Sequence, residues 1–163
     1  LQKNALPPVL FVARSVLAGW VVFVPLMMEL TLGYLPISGL GWSHLALPLL
    51  LLLQGALALL LAHALAILAA AVRDIVQVLA FMLSVGIYLS PVLFPISLFP
   101  EGWRWVLFAN PMSALVLGYQ AVLLKGAWPS MELWLVGFGW IGVLALTLNI
   151  LIKRSQDELV DWL

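Results

Sequence analysis

The sequence predicts an all-α, polytopic membrane protein, and three observations carry that reading. Of its 163 residues, 65% are hydrophobic and 9% charged, whereas soluble domains are about 45–50% apolar and about 25% charged. Mean hydropathy is +1.18, and a chain this short leaves much of its surface exposed, so a water-soluble fold cannot hide that much apolar area. The apolar residues also fall in long runs, and four of them qualify as spans. A helix needs about 20 residues to cross the roughly 30 Å hydrocarbon core.

Residues 1–8 precede the first span without a cleavable leader, because Lys3 is followed almost at once by Pro7 and Pro8. A chain opening at Leu1 in this way reads as the interior of something longer. The first span is read at residues 9–33, starting just past Pro8, since proline suits a first helical turn. Glu29 stands near its far end, after Pro25. The second span is read at 45–72, again with a proline, Pro48, near its start. Along it Ala58, Ala62, Ala66 and Ala70 recur every fourth residue beyond Gly55, a spacing that lets helices approach closely. His63 sits beside that stripe and reads as a hydrogen-bonded packing residue ahead of the alternative, a functional group inside the membrane. The third span, 75–95, opens after Asp74 and meets Pro91 and Pro95. The fourth, 133–152, carries Gly139, Gly142 and Asn149 as an expected packing seam, and residues 153–163 form a charged tail.

Four spans place both ends on one side of the membrane. Lys3, Arg14, Arg73, Lys153 and Arg154 fall on that side, against Arg104 and Lys125 opposite, so the positive-inside rule makes the ends cytoplasmic. Trp42, Trp103, Trp105, Trp128 and Trp134 then crowd the outer boundary as an aromatic belt.

Residues 96–131 are too apolar for a solvated loop and too broken for another crossing. They read as two short helices, 101–108 and 111–124, with Asn110 capping the second, Pro111 as its first residue and Gly126 ending it. Such a segment either re-enters the membrane as a hairpin or lies on its outer leaflet.

Polar groups inside the spans are the candidates for function, because each is costly there. Gln77, Ser84, Tyr88 and Pro91 share one face of the third span, with Phe81 at its edge. Hydroxyls, an amide and aromatic rings suit contact with sugars, and they equally suit a helix–helix seam. The chain has no phosphate-binding loop, no nucleophile elbow and no histidine pair at metal-ligand spacing. Neither His63 nor Glu29 has a partner spaced to make an enzyme.

The ordered motifs resemble the C-terminal half of ABC-2-type transporter permeases. They are Arg73-Asp74 opening a span, "YLSPVLFPIS" at its end, "LFPEGWRW", "ANPMSALVLGYQAVLL" and a last span ending in basic residues. The resemblance is closest to the branch exporting lipid-linked polysaccharides such as O-antigen, capsule and teichoic acid. It implies six spans in all, of which this chain supplies the last four. It implies a bacterial inner-membrane subunit, present in two copies and driven by two copies of a separate ATPase that holds the ATP and magnesium. The permease itself is then no enzyme and carries no cofactor or metal. By the same resemblance Lys3, Asn4, Leu6, Pro7 and Pro8 belong to the segment touching the ATPase, Trp103, Asn110, Pro111 and Tyr119 to an outer gate, and Gln77, Phe81, Ser84 and Tyr88 to the pathway wall. The alternatives are a permease for a drug or lipid, and a four-span scaffold without transport.

Overall fold

The computed structural model describes residues 8–39, 41–72, 74–88, 90–92 and 96–160. Among them every regular element is helical: α1 (Pro8–Ser38), α2 (Ala46–Ala71), α3 (Ile75–Tyr88), α4 (Arg104–Phe108), α5 (Pro111–Lys125) and α6 (Met131–Val160), with short 3-10 turns before α2 and α4. Stretches within α1, α2 with its preceding turn, and α6 are long and apolar enough to cross a membrane, at Val9–Ile37, Trp42–Ala71 and Met131–Arg154. The α1 helix continues through Pro25 and Pro36.

The third expected span is shorter. Its helix has 14 residues, a rise of roughly 21 Å at about 1.5 Å per residue, and it stops at Tyr88. The apolar run that continues beyond it in sequence does not continue as helix: Ser90–Val92 form a turn, and Ser90 donates both its N–H and its Oγ–H to the Ile87 carbonyl.

Helix α2 is the central strut, packed by α1, α5 and α6. Its buried residues are Ala46, Leu50, Leu53, Leu57 and Ala64, spaced by two fours, a three and a seven, the seam expected of helices packed nearly along one another. The alanine stripe is not that seam: Ala58 and Ala62 are half-buried, and Ala66 and Ala70 are exposed. Leucine wins the core because each buried side chain removes far more apolar area than alanine. The close approach falls at Gly55, where an added methyl would overlap the Trp20 ring of α1. On α6 the expected glycines face open space at Gly139 and Gly142.

Within the segment 96–131 it is α5 that packs into this bundle, while Leu98, Trp105, Trp128 and Met131 stay exposed. Helix α5 buries Ser113, Ala114, Leu115, Gly118, Tyr119, Val122 and Leu123 against its neighbours, so it is an internal element and not one lying on a surface. Its ends are built as the residues dictate. The Asn110 side chain accepts from the Met112 N–H at 3.0 Å, and Pro111 occupies the first turn. Gly126 adopts φ 60°, a left-handed conformation that glycine takes without strain. The Ala127 N–H then returns to the Ala121 carbonyl at 2.9 Å.

Gly118 is where α5 meets the strut, and a β-carbon there would lie 2.8 Å from a methyl of Leu50, which is 2% exposed. Overpacking a filled core costs about 1–3 kcal/mol. Gly118→Ala is therefore expected to lower the thermal unfolding midpoint of the purified protein. An unchanged midpoint would show that Leu50 relaxes freely.

Candidate functional site

A helix that breaks among apolar neighbours leaves carbonyl groups that its own backbone cannot satisfy, and each one left unpaired there costs free energy. The turn after α3 and the end of α4 create several such groups. Asn110 Nδ2 donates to the Gly86 carbonyl in the last turn of α3 at 2.9 Å. Gln120 Nε2, on α5, donates to the Pro91 carbonyl at 2.8 Å. Trp140 Nε1, on α6, donates to the Phe108 carbonyl at 2.9 Å. Backbone donors take the two carbonyls before that last one: Ala109 N–H bonds Val106 and Asn110 N–H bonds Leu107.

Tyr119 completes the anchoring. Its hydroxyl donates to Gln54 Oε1 of α2 at 2.8 Å, and its ring meets Phe23 of α1 edge-on with centroids 6.4 Å apart. One side chain thus ties α5 to two long helices. Asn110 and Pro111 stand at the start of α5 and Tyr119 more than two turns further along it, bonded to α2, while Trp103 is present as backbone and its side chain lies outside the described residues. Lys3, Asn4, Leu6 and Pro7 lie outside the described residues, and Pro8 begins α1.

Gln77, Phe81, Ser84 and Tyr88 are all exposed on α3. At about 100° per residue they fall on the side opposite Ile75, Leu79 and Gly86, the half-buried residues through which α3 meets its own chain. No residue of α3 is buried. Pro91 departs from the expected face: it is fully buried beyond the end of the helix, because the helical period stops at Tyr88. Ser84 Oγ donates to the Ala80 carbonyl at 2.9 Å, which keeps the hydroxyl satisfied within its own helix and leaves its lone pairs open. The face therefore presents an amide, a hydroxyl acceptor, a phenol and a phenyl ring along roughly 16 Å of helix.

With this geometry in hand, the sequence match decides the family: residues 3–124 match the ABC-2 type transporter model. The chain belongs to the ABC-2 type transporter family. Among characterised members, the O-antigen export system permease protein RfbA of Myxococcus xanthus is 30% identical over 118 residues, covering 71% of this chain and 45% of that protein. The chain thus spans less than half the length of this relative. No solved structure matches it. Family membership and the long apolar helices make it a multi-pass membrane protein and a transmembrane transporter component.

Of the remaining candidates, His63 directs Nδ1 to the Leu59 carbonyl of its own helix at 2.9 Å, and Glu29 is exposed on α1. Gln54, Gln120 and Trp140 are anchoring residues that periodicity did not mark, since each partner lies far away in sequence. Their signal was chemical: an amide or indole in an apolar run that must find a hydrogen-bond partner.

Asn110 has two separable jobs, capping α5 and donating to Gly86. Loss of a cap costs about 0.5–2 kcal/mol, and an orphaned buried carbonyl costs about 1–3 kcal/mol. Asn110→Ala, which loses both, is expected to destabilise more than Asn110→Ser, which keeps the cap. Denaturant unfolding in detergent measures the difference, and equal losses would show that the Gly86 bond carries nothing.

Proposed function

We propose that this chain is part of the membrane permease of an ATP-driven exporter that moves a lipid-linked polysaccharide such as O-antigen across a bacterial inner membrane. A separate ATPase, in two copies, binds ATP and magnesium and supplies the energy. Two copies of the permease form the pathway between them. Family membership supports the transporter class, and the similarity to an O-antigen export permease supports the glycan branch.

The observation that carries the reading is the orientation of α3. Its polar and aromatic face, Gln77, Phe81, Ser84 and Tyr88, points away from the body of its own chain. Exposed to lipid alone, an amide and a phenol would sit at a cost. Facing the same helix of a second copy, they would line a passage whose walls can hydrogen-bond hydroxyls and stack on sugar rings. The weak packing of α3 on its own chain leaves it able to shift relative to α2.

The mechanism follows from how the parts are joined. Closure of the ATPase dimer acts on the inner segment, Lys3, Asn4, Leu6, Pro7 and Pro8, which continues directly into α1. Helix α1 packs on α2 and α5, and α5 is bonded to α3 and the turn after it through Asn110 and Gln120. Movement of α1 is thereby passed to the gate hairpin and on to the pathway face. Both ends of the chain lie in the cytoplasm on this reading, so the hairpin sits at the outer mouth.

Ser84→Ala/Tyr88→Ala in the full permease is expected to lower export of the glycan several-fold while leaving assembly with the ATPase intact. Surface display of the polysaccharide and co-purification of the ATPase check the two halves. Full export by a stably expressed double variant would remove this face from the pathway.

A further inference from the structure

Four buried polar atoms have no hydrogen-bond partner among the described residues: Ser43 Oγ, His44 Nε2, His63 Nε2 and Ser113 Oγ. Of these residues, His44 lines two adjoining cavities. It lies in the 3-10 turn Trp42–Leu45 that joins α1 to α2. The Gly41 N–H donates to its Nδ1 at 3.3 Å. In the tautomer whose Nδ1 accepts, the ring proton sits on Nε2, a buried donor with no acceptor among the described residues. The Gly41 carbonyl lies 3.2 Å from the same Nδ1, so the other neutral tautomer donates there and leaves Nε2 an acceptor, and an acceptor on a ligand selects the Nε2–H form.

The two cavities differ in character. One is a slot of about 390 Å³ between α1 and α2, walled by Val24, Met28, Leu32, Leu47 and Leu51, with His44 among its lining residues. The other, about 380 Å³, lies around the turn itself at Gly41, Trp42, His44 and Leu45. Both volumes fall within the roughly 300–1,000 Å³ of small-molecule sites. The slot opens among exposed apolar side chains, Met28 at 63% and Leu32 at 66%, on helices long and apolar enough to cross a membrane. Its occupant therefore arrives through the lipid phase. Trp42, 86% exposed beside the second cavity, is the residue type that settles at the membrane–water boundary.

Hydrocarbon slot, buried donor and boundary indole follow the order of tail, linkage and head in a membrane amphiphile. The donor needs an acceptor. The N-terminal end of α2, directly after the turn, adds the positive end of a helix dipole that favours an anionic one. We propose that a membrane phospholipid binds here, with one acyl chain in the α1–α2 slot and its phosphate accepting from His44 Nε2–H. The inference is independent of which molecule is transported.

Native mass spectrometry of the full-length protein in detergent, titrated with dioleoylphosphatidylglycerol or with dioleoylglycerol, tests it. The phospholipid is expected to bind about tenfold more weakly to His44→Ala, the effect of losing one hydrogen bond to a charged group. His44→Gln, which keeps a donor, retains most of the affinity. Met28→Trp, which fills the slot, lowers it as His44→Ala does, whereas Leu52→Trp on the α6 side of α2 leaves it unchanged. Dioleoylglycerol, with the same tails and no phosphate, binds the wild type at the weak level of His44→Ala. Equal binding of the two lipids, or wild-type affinity in either His44→Ala or Met28→Trp, overturns the proposal. If His44→Ala does not fold, the Met28→Trp and dioleoylglycerol comparisons decide it.

Discussion

The structure depends on satisfying backbone carbonyls where helices break inside an apolar bundle. A helix end packed against apolar neighbours must find a donor on another element. Asn110, Gln120 and Trp140 supply those donors to Gly86, Pro91 and Phe108. Each bond joins two elements as well as filling an acceptor. The same requirement that permits a broken segment in this position also fixes where the segment goes. A hairpin with these carbonyls unfilled would have to lie in water, and its apolar sequence forbids that.

Packing then decides what is rigid and what is free. Helix α2 presents Leu50, Leu53 and Leu57 to the core, and α5 answers with Gly118 and the buried Leu115, Tyr119 and Val122. This centre is dense, and Tyr119 pins it with a hydrogen bond to Gln54. Helix α3 stands outside it, with no buried residue of its own. Its firmest described ties are the amide bonds at its end and at the turn that follows. An element held at one end by directional bonds, and along its length by little apolar contact, is suited to move as a unit with the hairpin it is bonded to.

Much of this was legible in the chain. Proline at a first turn, asparagine before it and glycine after the last residue marked both ends of α5, because capping is local chemistry between residues a few positions apart. Long apolar runs marked α1, α2 and α6. The face of α3 was legible as periodicity, up to the point where the helix stops: Pro91 continues the spacing in sequence and leaves the face in space. The alanine stripe of α2 misled because small residues permit close packing without requiring it, and the leucines beside it bury more area. Gln120 and Trp140 carried no periodic mark at all. Their partners lie 29 and 32 positions away, and no local pattern records which distant carbonyl lacks a donor.

The sequence by itself determined the solvent, the helical class, the caps and the family motifs, since each follows from composition or from neighbours within a turn or two. The tertiary structure alone decided that α5 packs inside the bundle, that Gln54 and Tyr119 meet, that the polar face of α3 is left outward and that His44 Nε2 is buried without a partner among the described residues. These are consequences of which surfaces cover one another. An apolar run states that it must be covered, by lipid or by protein, and only the packed chain shows by which.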